Sequence, residues 1–265
     1  MIRCIDKTIR QSSQVIGLSL ILGNIFKEVS NLIKTKTGAS RCLSVNNTGE
    51  VYLSNFQTSK MTYHGTTTVG IACSDGVVLA ADTRAIAGGY FIAHKSVKKI
   101  QKIADHLALT IAGGVADAQN VVDTIRHYTN IYKLEKRKPI PVKSAARLTS
   151  NIFFSARFYP YMADIIIGGV DEDGGSVFNI DLLGSLAKEK YYSSGSGSPV
   201  AFGILDSEYK DGLVVKDAIQ IAAKAILAAI QRNAGTGDGF DIAVMTKEGY
   251  RELSKEEKDI ILKKI

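Results

Sequence analysis

The chain has 265 residues, 45% of them hydrophobic, so it can bury a core in one large domain or two small ones. Its formal net charge of +7 is unevenly placed, because residues 1–65 carry +5 and the remaining 200 residues only +2. A nearly balanced charge over most of the chain excludes the basic surface of a nucleic-acid-binding protein.

The N-terminal region, residues 1–60, lacks sustained periodicity, and one short helix is predicted around residues 16–34. Its apolar run at 15–25 follows a basic start, but at 11 residues it is too short to span a bilayer, and no small-residue cleavage site follows it. The 3 cysteines are irregularly spaced and match neither a disulfide framework nor a metal motif. These features predict a cytoplasmic protein with no metal and no cofactor.

From residue 66 onward, short apolar strands and helical patterns follow one another in a regular order. The predicted strands are 67–73, 77–82, 107–112, 164–170, 176–182 and 241–246. The predicted helices are 115–134, 142–157, 199–209, 214–234 and a terminal helix that starts at the capping box of Ser254 and Glu257. This order favours an α+β fold, a four-layer α-β-β-α sandwich of two antiparallel sheets flanked by helices.

A threonine run behind a glycine, Gly65-Thr66-Thr67-Thr68, opens the first of these strands. A threonine hydroxyl is a poor nucleophile unless a base lies beside it, and a cut just before the threonine supplies its own α-amine as that base. An α-amine has a pKa of about 7.7–8.0, so it is partly neutral at physiological pH and can accept the hydroxyl proton. Because β-branched residues are also common where strands begin, the run alone allows either a terminal nucleophile or an ordinary strand.

Three later residues have the chemistry that a terminal threonine nucleophile needs. Lys99, the second lysine of a pair, could supply a cation beside the hydroxyl, and Asp82, at a strand end, could hold that cation. Gly113 could expose a backbone N–H that stabilises the tetrahedral oxyanion. Each also has an ordinary interpretation, as a turn aspartate, a solvated lysine or a turn glycine, so the prediction depends on their joint order and spacing.

From Met61 to about its end, and excluding residues 1–60, the chain resembles the proteasome β subunit family of the archaeal or eukaryotic-core type. The matching segments are Gly65-Thr66-Thr67-Thr68-Val69-Gly70, Gly76-Val77-Val78-Leu79-Ala80-Ala81-Asp82-Thr83-Arg84, Lys98-Lys99-Ile100, Ala112-Gly113-Gly114-Val115-Ala116-Asp117-Ala118, Ser194-Gly195-Ser196-Gly197-Ser198 and Asp241-Ile242-Ala243-Val244. The bacterial ATP-dependent peptidase of the same superfamily is usually shorter and lacks the counterparts of Arg84 and of the Gly-Ser-Gly-Ser run. The resemblance implies the N-terminal nucleophile hydrolase fold.

The resemblance also assigns roles to individual residues. It implies that Thr66 is the nucleophile, exposed by self-cleavage at the Gly65–Thr66 bond, and that Asp82 and Lys99 form the charge pair beside it. Lys99 is chosen over Lys98 because the family's catalytic lysine is the second of its pair.

The same resemblance implies an oxyanion donor, a proton relay and a substrate pocket. Gly113 would donate the oxyanion N–H, and Ser196 would relay the proton near the amine. The pocket would be lined by four apolar residues, Ala85, Val97, Ile111 and Val115. Because none of them is charged, cleavage after hydrophobic residues is expected.

One stretch departs from the family pattern. After the arginine that ends the fourth helix, the family has an aspartate, then two residues, then a serine, where this chain has Asn233 and Thr236. Asparagine can form hydrogen bonds, but it has no charge to stabilise an ammonium. We therefore expect slower self-cleavage or hydrolysis than with the aspartate, or dependence on a neighbouring β subunit, unless the nearby Asp238 substitutes.

The sequence thus predicts a leader or propeptide, residues 1–65, and a proteasome β-type catalytic domain, residues 66–265. Residues 1–60 are either a genuine propeptide or an upstream stretch that is not translated, in which case Met61 is the start. The leading hypothesis is a threonine endopeptidase, made as a zymogen and activated by autocatalytic cleavage, which degrades unfolded proteins.

The implied partners are α-subunit rings and other β subunits in a barrel of stacked seven-membered rings, an unfolding ATPase and unfolded substrates, with no nucleic acid and no membrane. One alternative is a mainly structural β subunit, weakly active or dependent on a second β subunit because of Asn233. Another is an N-terminal nucleophile amidohydrolase that acts on a small amide, but the joint match at Asp82, Lys99 and Ser196 argues against it.

Overall fold

The computed structural model describes residues 43–45, 51–53, 65–88 and 91–265. The chain divides into two compact units, Met1–Met61 and Thr62–Ile265. In the first unit, strand β1 (Leu43–Val45) pairs antiparallel with β2 (Val51–Leu53), a hairpin that the sequence pattern does not predict. The helix predicted around residues 16–34 lies outside the described residues.

The second unit is built on two five-stranded antiparallel sheets and a small two-stranded one. Its strands are β3 (Thr68–Ala72), β4 (Val77–Asp82), β5 (Ala85–Ala87), β6 (Phe91–His94), β7 (Ile100–Ala104), β8 (Leu107–Gly113), β9 (Ala163–Asp171), β10 (Gly174–Ile180), β11 (Leu186–Glu189), β12 (Tyr191–Ser194), β13 (Phe240–Thr246) and β14 (Gly249–Glu252). One large sheet has the order β12-β3-β4-β13-β14, and the other has the order β11-β10-β9-β8-β7.

Helices cover the outer face of each large sheet. They are α1 (Val115–Lys136), α2 (Val142–Ser155), α3 (Ser198–Glu208), α4 (Val215–Arg232) and α5 (Lys255–Leu262). Buried side chains of α1 and α2 pack on the β8 sheet, those of α3 and α4 pack on the β3 sheet, and a third apolar cluster fills the space between the sheets. The predicted four-layer α-β-β-α sandwich is therefore confirmed.

Strand β4 shows why the layers form. All six of its residues are buried, because α4 covers one face of the strand and the second sheet covers the other. Its apolar run ends at Asp82, a charged residue at 1% exposure. Asp82, the charged end of an otherwise apolar buried strand, marks the position of the candidate active site.

The predicted strands and helices agree with the structure to within two residues at each end. The capping box is present, since the Ser254 hydroxyl accepts from the Glu257 N–H and the Glu257 carboxylate accepts from the Ser254 N–H. Six further strands of this unit (β5, β6, β7, β11, β12 and β14) are not predicted by the sequence pattern. Among the described residues, no helix has both the length and the apolar character needed to cross a membrane.

Candidate active site

Thr66 lies two residues before β3, and only 4% of the residue is exposed. Its hydroxyl donates to the carbonyl oxygen of Gly65, the residue directly before it, with an Oγ1···O distance of 2.6 Å. Lys99 Nζ donates to the same hydroxyl at 2.9 Å. Only glycine fits at position 65, because a Cβ there would collide with the backbone of Gly235. The hydroxyl is thus held between its own preceding carbonyl and an ammonium.

A buried ion pair lies beside this hydroxyl. Lys99 Nζ is 2.7 Å from Asp82 Oδ1, and the two side chains are 6% and 0% exposed. Asp82 also accepts backbone N–H bonds, from Thr67 at 2.9 Å and from Arg84 and Gly237 at 3.1 Å each. Burial lowers the pKa of Lys99 below its ordinary value, although the neighbouring Asp82 opposes that shift. The lysine is therefore fixed in position, and its proton is held less tightly than that of a solvated lysine.

The other lysine of the pair has a different environment. Lys98 Nζ forms an ion pair with Glu252 at 2.6 Å, and 55% of its side chain is exposed. Of the two neighbouring lysines, Lys99 is the one that contacts Thr66.

Ser196, in the loop between β12 and α3, connects Thr66 to Asn233. The Ser196 hydroxyl accepts from the Thr66 N–H at 3.3 Å and donates to Asn233 Oδ1 at 2.9 Å. Asn233 Nδ2 donates back to the Ser196 carbonyl at 3.0 Å, and Oδ1 also accepts from the Gly235 N–H at 2.9 Å and from Thr236 Oγ1 at 3.1 Å. A backbone N–H only donates and a carbonyl only accepts, so Oδ1 of Asn233 must face the Gly235 N–H and Nδ2 must face the Ser196 carbonyl. These contacts determine the orientation of the Asn233 side-chain amide.

Asp238 is the acid nearest to Asn233 in the sequence, but it is engaged elsewhere. Its carboxylate forms an ion pair with Arg84, with Nε···Oδ2 at 2.8 Å and a second contact from Nη2 to Oδ1 at 3.4 Å. The structure thus pairs Asp238 with Arg84 rather than with the groups around the Thr66 nitrogen.

Gly113, the last residue of β8, lies on the wall of a cavity of about 640 Å³ together with Thr66 and Lys99. Its φ of 125° lies in a region that favours glycine, and a Cβ at this position would collide with the carbonyl oxygen of Met162. Position 113 therefore admits only glycine. All four residues predicted to form a substrate pocket line this same cavity: Ala85, Val97, Ile111 and Val115.

The cavity also has a polar part that the sequence prediction missed. Gln119, Asp123 and Arg126 line it from α1, and Arg126 Nη1 donates to Asp123 Oδ1 at 2.8 Å. The sequence contains a signal for this polar set, because its three residues follow Val115 at helical spacings of three and four, which place side chains on one face of a helix. Within the described ranges, no group of three or more His, Cys, Asp or Glu side chains is arranged to hold a metal ion.

The four-layer sandwich, with a threonine before an inner strand and a buried lysine–aspartate pair beside its hydroxyl, defines the class of N-terminal nucleophile hydrolases. The sequence model of the family described as "Proteasome subunit" matches residues 62–245. The chain therefore belongs to the proteasome subunit family, and the resemblance seen in the sequence is confirmed.

Curated relatives agree with this assignment. The chain is similar to proteasome subunit beta 2 of Nitrosopumilus maritimus (strain SCM1), at 56% identity over 199 residues, which are 75% of this chain and 94% of that protein. It is also similar to proteasome subunit beta 2 of Cenarchaeum symbiosum (strain A), at 52% identity over 199 residues (75% and 94%). Proteasome subunit beta of Archaeoglobus profundus is 46% identical over 201 residues (76% and 93%).

Proposed function

We propose that this chain is a threonine endopeptidase subunit of a proteasome core, activated by self-cleavage between Gly65 and Thr66. The observation that carries the proposal is the position of Thr66 Oγ1, 2.6 Å from the Gly65 carbonyl oxygen and 2.9 Å from Lys99 Nζ. Residues 1–65 would then be the leader of a zymogen and residues 66–265 the catalytic domain. The similarity to proteins named proteasome subunit beta supports the same function.

In self-cleavage, the Thr66 hydroxyl oxygen attacks the Gly65 carbonyl carbon, and the developing oxyanion is stabilised by the Gly113 N–H. The C–N bond then breaks, the proton lost from the hydroxyl is transferred to the Thr66 nitrogen, which becomes the α-amine, and Gly65 is left as an ester on Oγ1. Water hydrolyses the ester, which releases the leader as a carboxylic acid and frees the hydroxyl. The Ser196 hydroxyl, 3.3 Å from the Thr66 nitrogen, is placed to pass on the proton.

Peptide hydrolysis uses the same groups. The freed α-amine accepts the Thr66 hydroxyl proton, Oγ1 attacks the substrate carbonyl to form an acyl-enzyme, and the amine returns the proton to the leaving nitrogen. Lys99 favours the ionised hydroxyl by its charge, and Asp82 holds Lys99 in place at 2.7 Å. Water then releases the second product and restores the hydroxyl.

The cavity beside Thr66 sets the expected preference. Ala85, Val97, Ile111 and Val115 present apolar side chains to it, so cleavage after hydrophobic residues is favoured. We further propose that the natural substrates are unfolded proteins delivered in the cytoplasm by an ATPase. The subunit would work within stacked seven-membered rings that combine β subunits with α-subunit rings.

Two measurements on the full chain test this function. The intact mass should show a mature N-terminus at Thr66, and a fluorogenic peptide with leucine or tyrosine before the reporter should be hydrolysed faster than one with aspartate. An uncleaved leader together with no turnover of any of these peptides would contradict the endopeptidase proposal.

A mainly structural β subunit is the second candidate, and Asn233 is the observation that favours it. The family's carboxylate would lie near the freed amine, and its negative charge would favour the ammonium. Asn233 offers hydrogen bonds to Ser196 and Thr236 but no charge. The α-amine is therefore expected to have a lower pKa and to be a weaker base than it would be beside an aspartate.

Asn233→Asp is predicted to speed peptide hydrolysis by about three- to tenfold at a pH where the amine is neutral in both proteins. The raised amine pKa should also move the acid-side loss of activity to higher pH. The new carboxylate loses the hydrogen bond to the Ser196 carbonyl, a cost of about 1–3 kcal/mol. In the mature protein, the attraction between the new carboxylate and the ammonium form of the α-amine opposes this cost.

The pH–rate profile of hydrolysis checks this prediction, with Asn130→Asp, an exposed asparagine on α1, as the matched control. Equal rates and superimposable profiles for Asn233→Asp and the wild type would remove Asn233 as a cause of weak activity.

A further inference from the structure

The loop between α4 and β13, residues 233–239, forms one wall around the Gly65–Thr66 bond. Gly235 packs directly against Gly65, since a Cβ on either residue would collide with the other. Thr236 Oγ1 lies 2.7 Å from Thr67 Oγ1, and the Gly237 N–H donates to Asp82 Oδ2 at 3.1 Å. The position of the 233–239 loop therefore determines the space around the bond to be cut.

Arg84 holds this loop at two points. Its Nη1 donates to the Ala234 carbonyl at 3.0 Å, and its Nε donates to Asp238 Oδ2 at 2.8 Å. The two anchor points, Ala234 and Asp238, lie on either side of residues 235–237, the three residues that contact Gly65, Thr67 and Asp82. The guanidinium lies directly against Gly237, where any side chain would collide with it. The two contacts leave from different nitrogens of the planar guanidinium, a geometry that the single nitrogen of a lysine does not reproduce.

Two further features connect Arg84 to the nucleophile. Its own backbone N–H donates at 3.1 Å to Asp82 Oδ2, on the carboxylate that binds Lys99. Asp238 has a left-handed backbone with φ of 67°, a conformation that costs energy outside glycine and is least costly for Asn and Asp. The ion pair with Arg84 holds the loop in this conformation.

We infer that Arg84 and Asp238 form a clamp that positions the 233–239 loop against the Gly65–Thr66 bond. Arg84 is a positioning residue, since it acts through Asp82 and the loop and donates no hydrogen bond to Thr66. The inference rests on the proposed endopeptidase function for its kinetic consequence. The clamp sets the geometry of attack at Thr66, so its loss slows self-cleavage and turnover and leaves the affinity for a hydrophobic peptide nearly unchanged.

Arg84→Lys tests the clamp because it keeps the charge and removes the fork. The rate of self-cleavage and kcat for a fluorogenic hydrophobic peptide should fall about 10- to 100-fold, as expected for small misplacements of reacting groups. KM should stay within about threefold of the wild type, because the apolar walls of the cavity are unchanged. Asp238→Asn keeps the tolerated backbone conformation and removes only the charge, so its effect should be smaller, and the double variant should be no slower than Arg84→Lys alone.

Asp211→Asn is the matched control, since it breaks the exposed Lys190–Asp211 pair of similar length (2.7 Å) and should change neither rate. A rise in KM with kcat unchanged, wild-type rates in both clamp variants, or simple additivity in the double variant would overturn the inference.

A separate readout keeps failure of the clamp distinct from failure of the proposed function. In the full chain, hydrogen exchange at the Gly235 and Gly237 amides should be faster in Arg84→Lys than in the wild type, whether or not the protein hydrolyses peptides. Unchanged exchange at both amides would show that Arg84 does not hold the loop. Faster exchange in a chain that never self-cleaves would support the clamp and count against the endopeptidase.

Discussion

Thr66→Ala is expected to abolish both cleavage of the Gly65–Thr66 bond and peptide hydrolysis. The substitution removes the oxygen that lies 2.6 Å from the Gly65 carbonyl oxygen and 2.9 Å from Lys99 Nζ. The next hydroxyl, on Thr67, is already paired with Thr236 at 2.7 Å and cannot take its place. Loss of a nucleophile costs at least about 10⁴-fold in turnover, so no activity should be measurable above the blank. Intact mass and a fluorogenic hydrophobic peptide report the two activities separately.

The alanine variant should still fold. Lys99 keeps its ion pair with Asp82, and the lost hydroxyl and methyl group account for no more than about 2 kcal/mol of unfolding free energy. Thr66→Ser is the matched control, because it restores the hydroxyl at the same place and should self-cleave and turn over peptide. If the alanine variant still hydrolyses the peptide, or if its leader is removed at the same bond, Thr66 is not the nucleophile.

Much of the fold follows from local patterns in the sequence. Strand β4 has an apolar run from Val77 to Ala81, and β9 has three consecutive isoleucines, Ile165–Ile167. Helices α2 and α4 have clear apolar faces, so these elements are visible without tertiary information. The missed strands have weaker patterns. All four residues of β6 are exposed, and β14 reads Gly-Tyr-Arg-Glu at a sheet edge. Such strands form because a neighbouring strand offers hydrogen-bond partners, and the sequence pattern does not show that neighbour.

Some residues of the candidate site can likewise be selected from the sequence, whereas the contacts between distant segments cannot. Thr66, Asp82 and Lys99 could be selected from the sequence because their residue types match one reaction and their order matches one family. The partners of Arg84 could not be selected, since 154 positions separate it from Asp238. The same limit applies to the interaction between Gly65 and Gly235, which depends on the packing of a distant loop and leaves no local trace in the sequence.

Asp82 is the residue through which these distant parts meet. Its two carboxylate oxygens accept from the Lys99 ammonium and from the backbone of Thr67, Arg84 and Gly237. An asparagine could not replace it without turning an amide NH₂ toward N–H donors, because both oxygens already serve as acceptors. The position therefore requires a carboxylate for its hydrogen bonds as well as for its charge.

Lys99→Met should cost both stability and activity. Methionine has a similar length but no charge, so the fully buried Asp82 carboxylate would lose the ammonium that lies 2.7 Å away. Breaking a buried pair in this way costs about 3–5 kcal/mol of unfolding free energy. For a folded unit of this size, the loss corresponds to a fall in Tm of about 6–20 °C, which thermal unfolding can measure. Self-cleavage and hydrolysis should fall by at least about 10³-fold, because the Thr66 hydroxyl also loses its neighbouring cation.

Lys98→Met separates this effect from the general cost of removing a lysine. Lys98 differs from its neighbour only in its environment, with 55% of its side chain exposed and an ion pair to Glu252 at the surface. Exposed pairs contribute about 0–1 kcal/mol, so Tm should change by less than about 4 °C and turnover by less than about threefold. Assays well below both melting temperatures keep the stability loss out of the rate. If the two variants lose activity equally, or if Lys99→Met retains turnover once folded, the buried pair is structural and another group must activate Thr66.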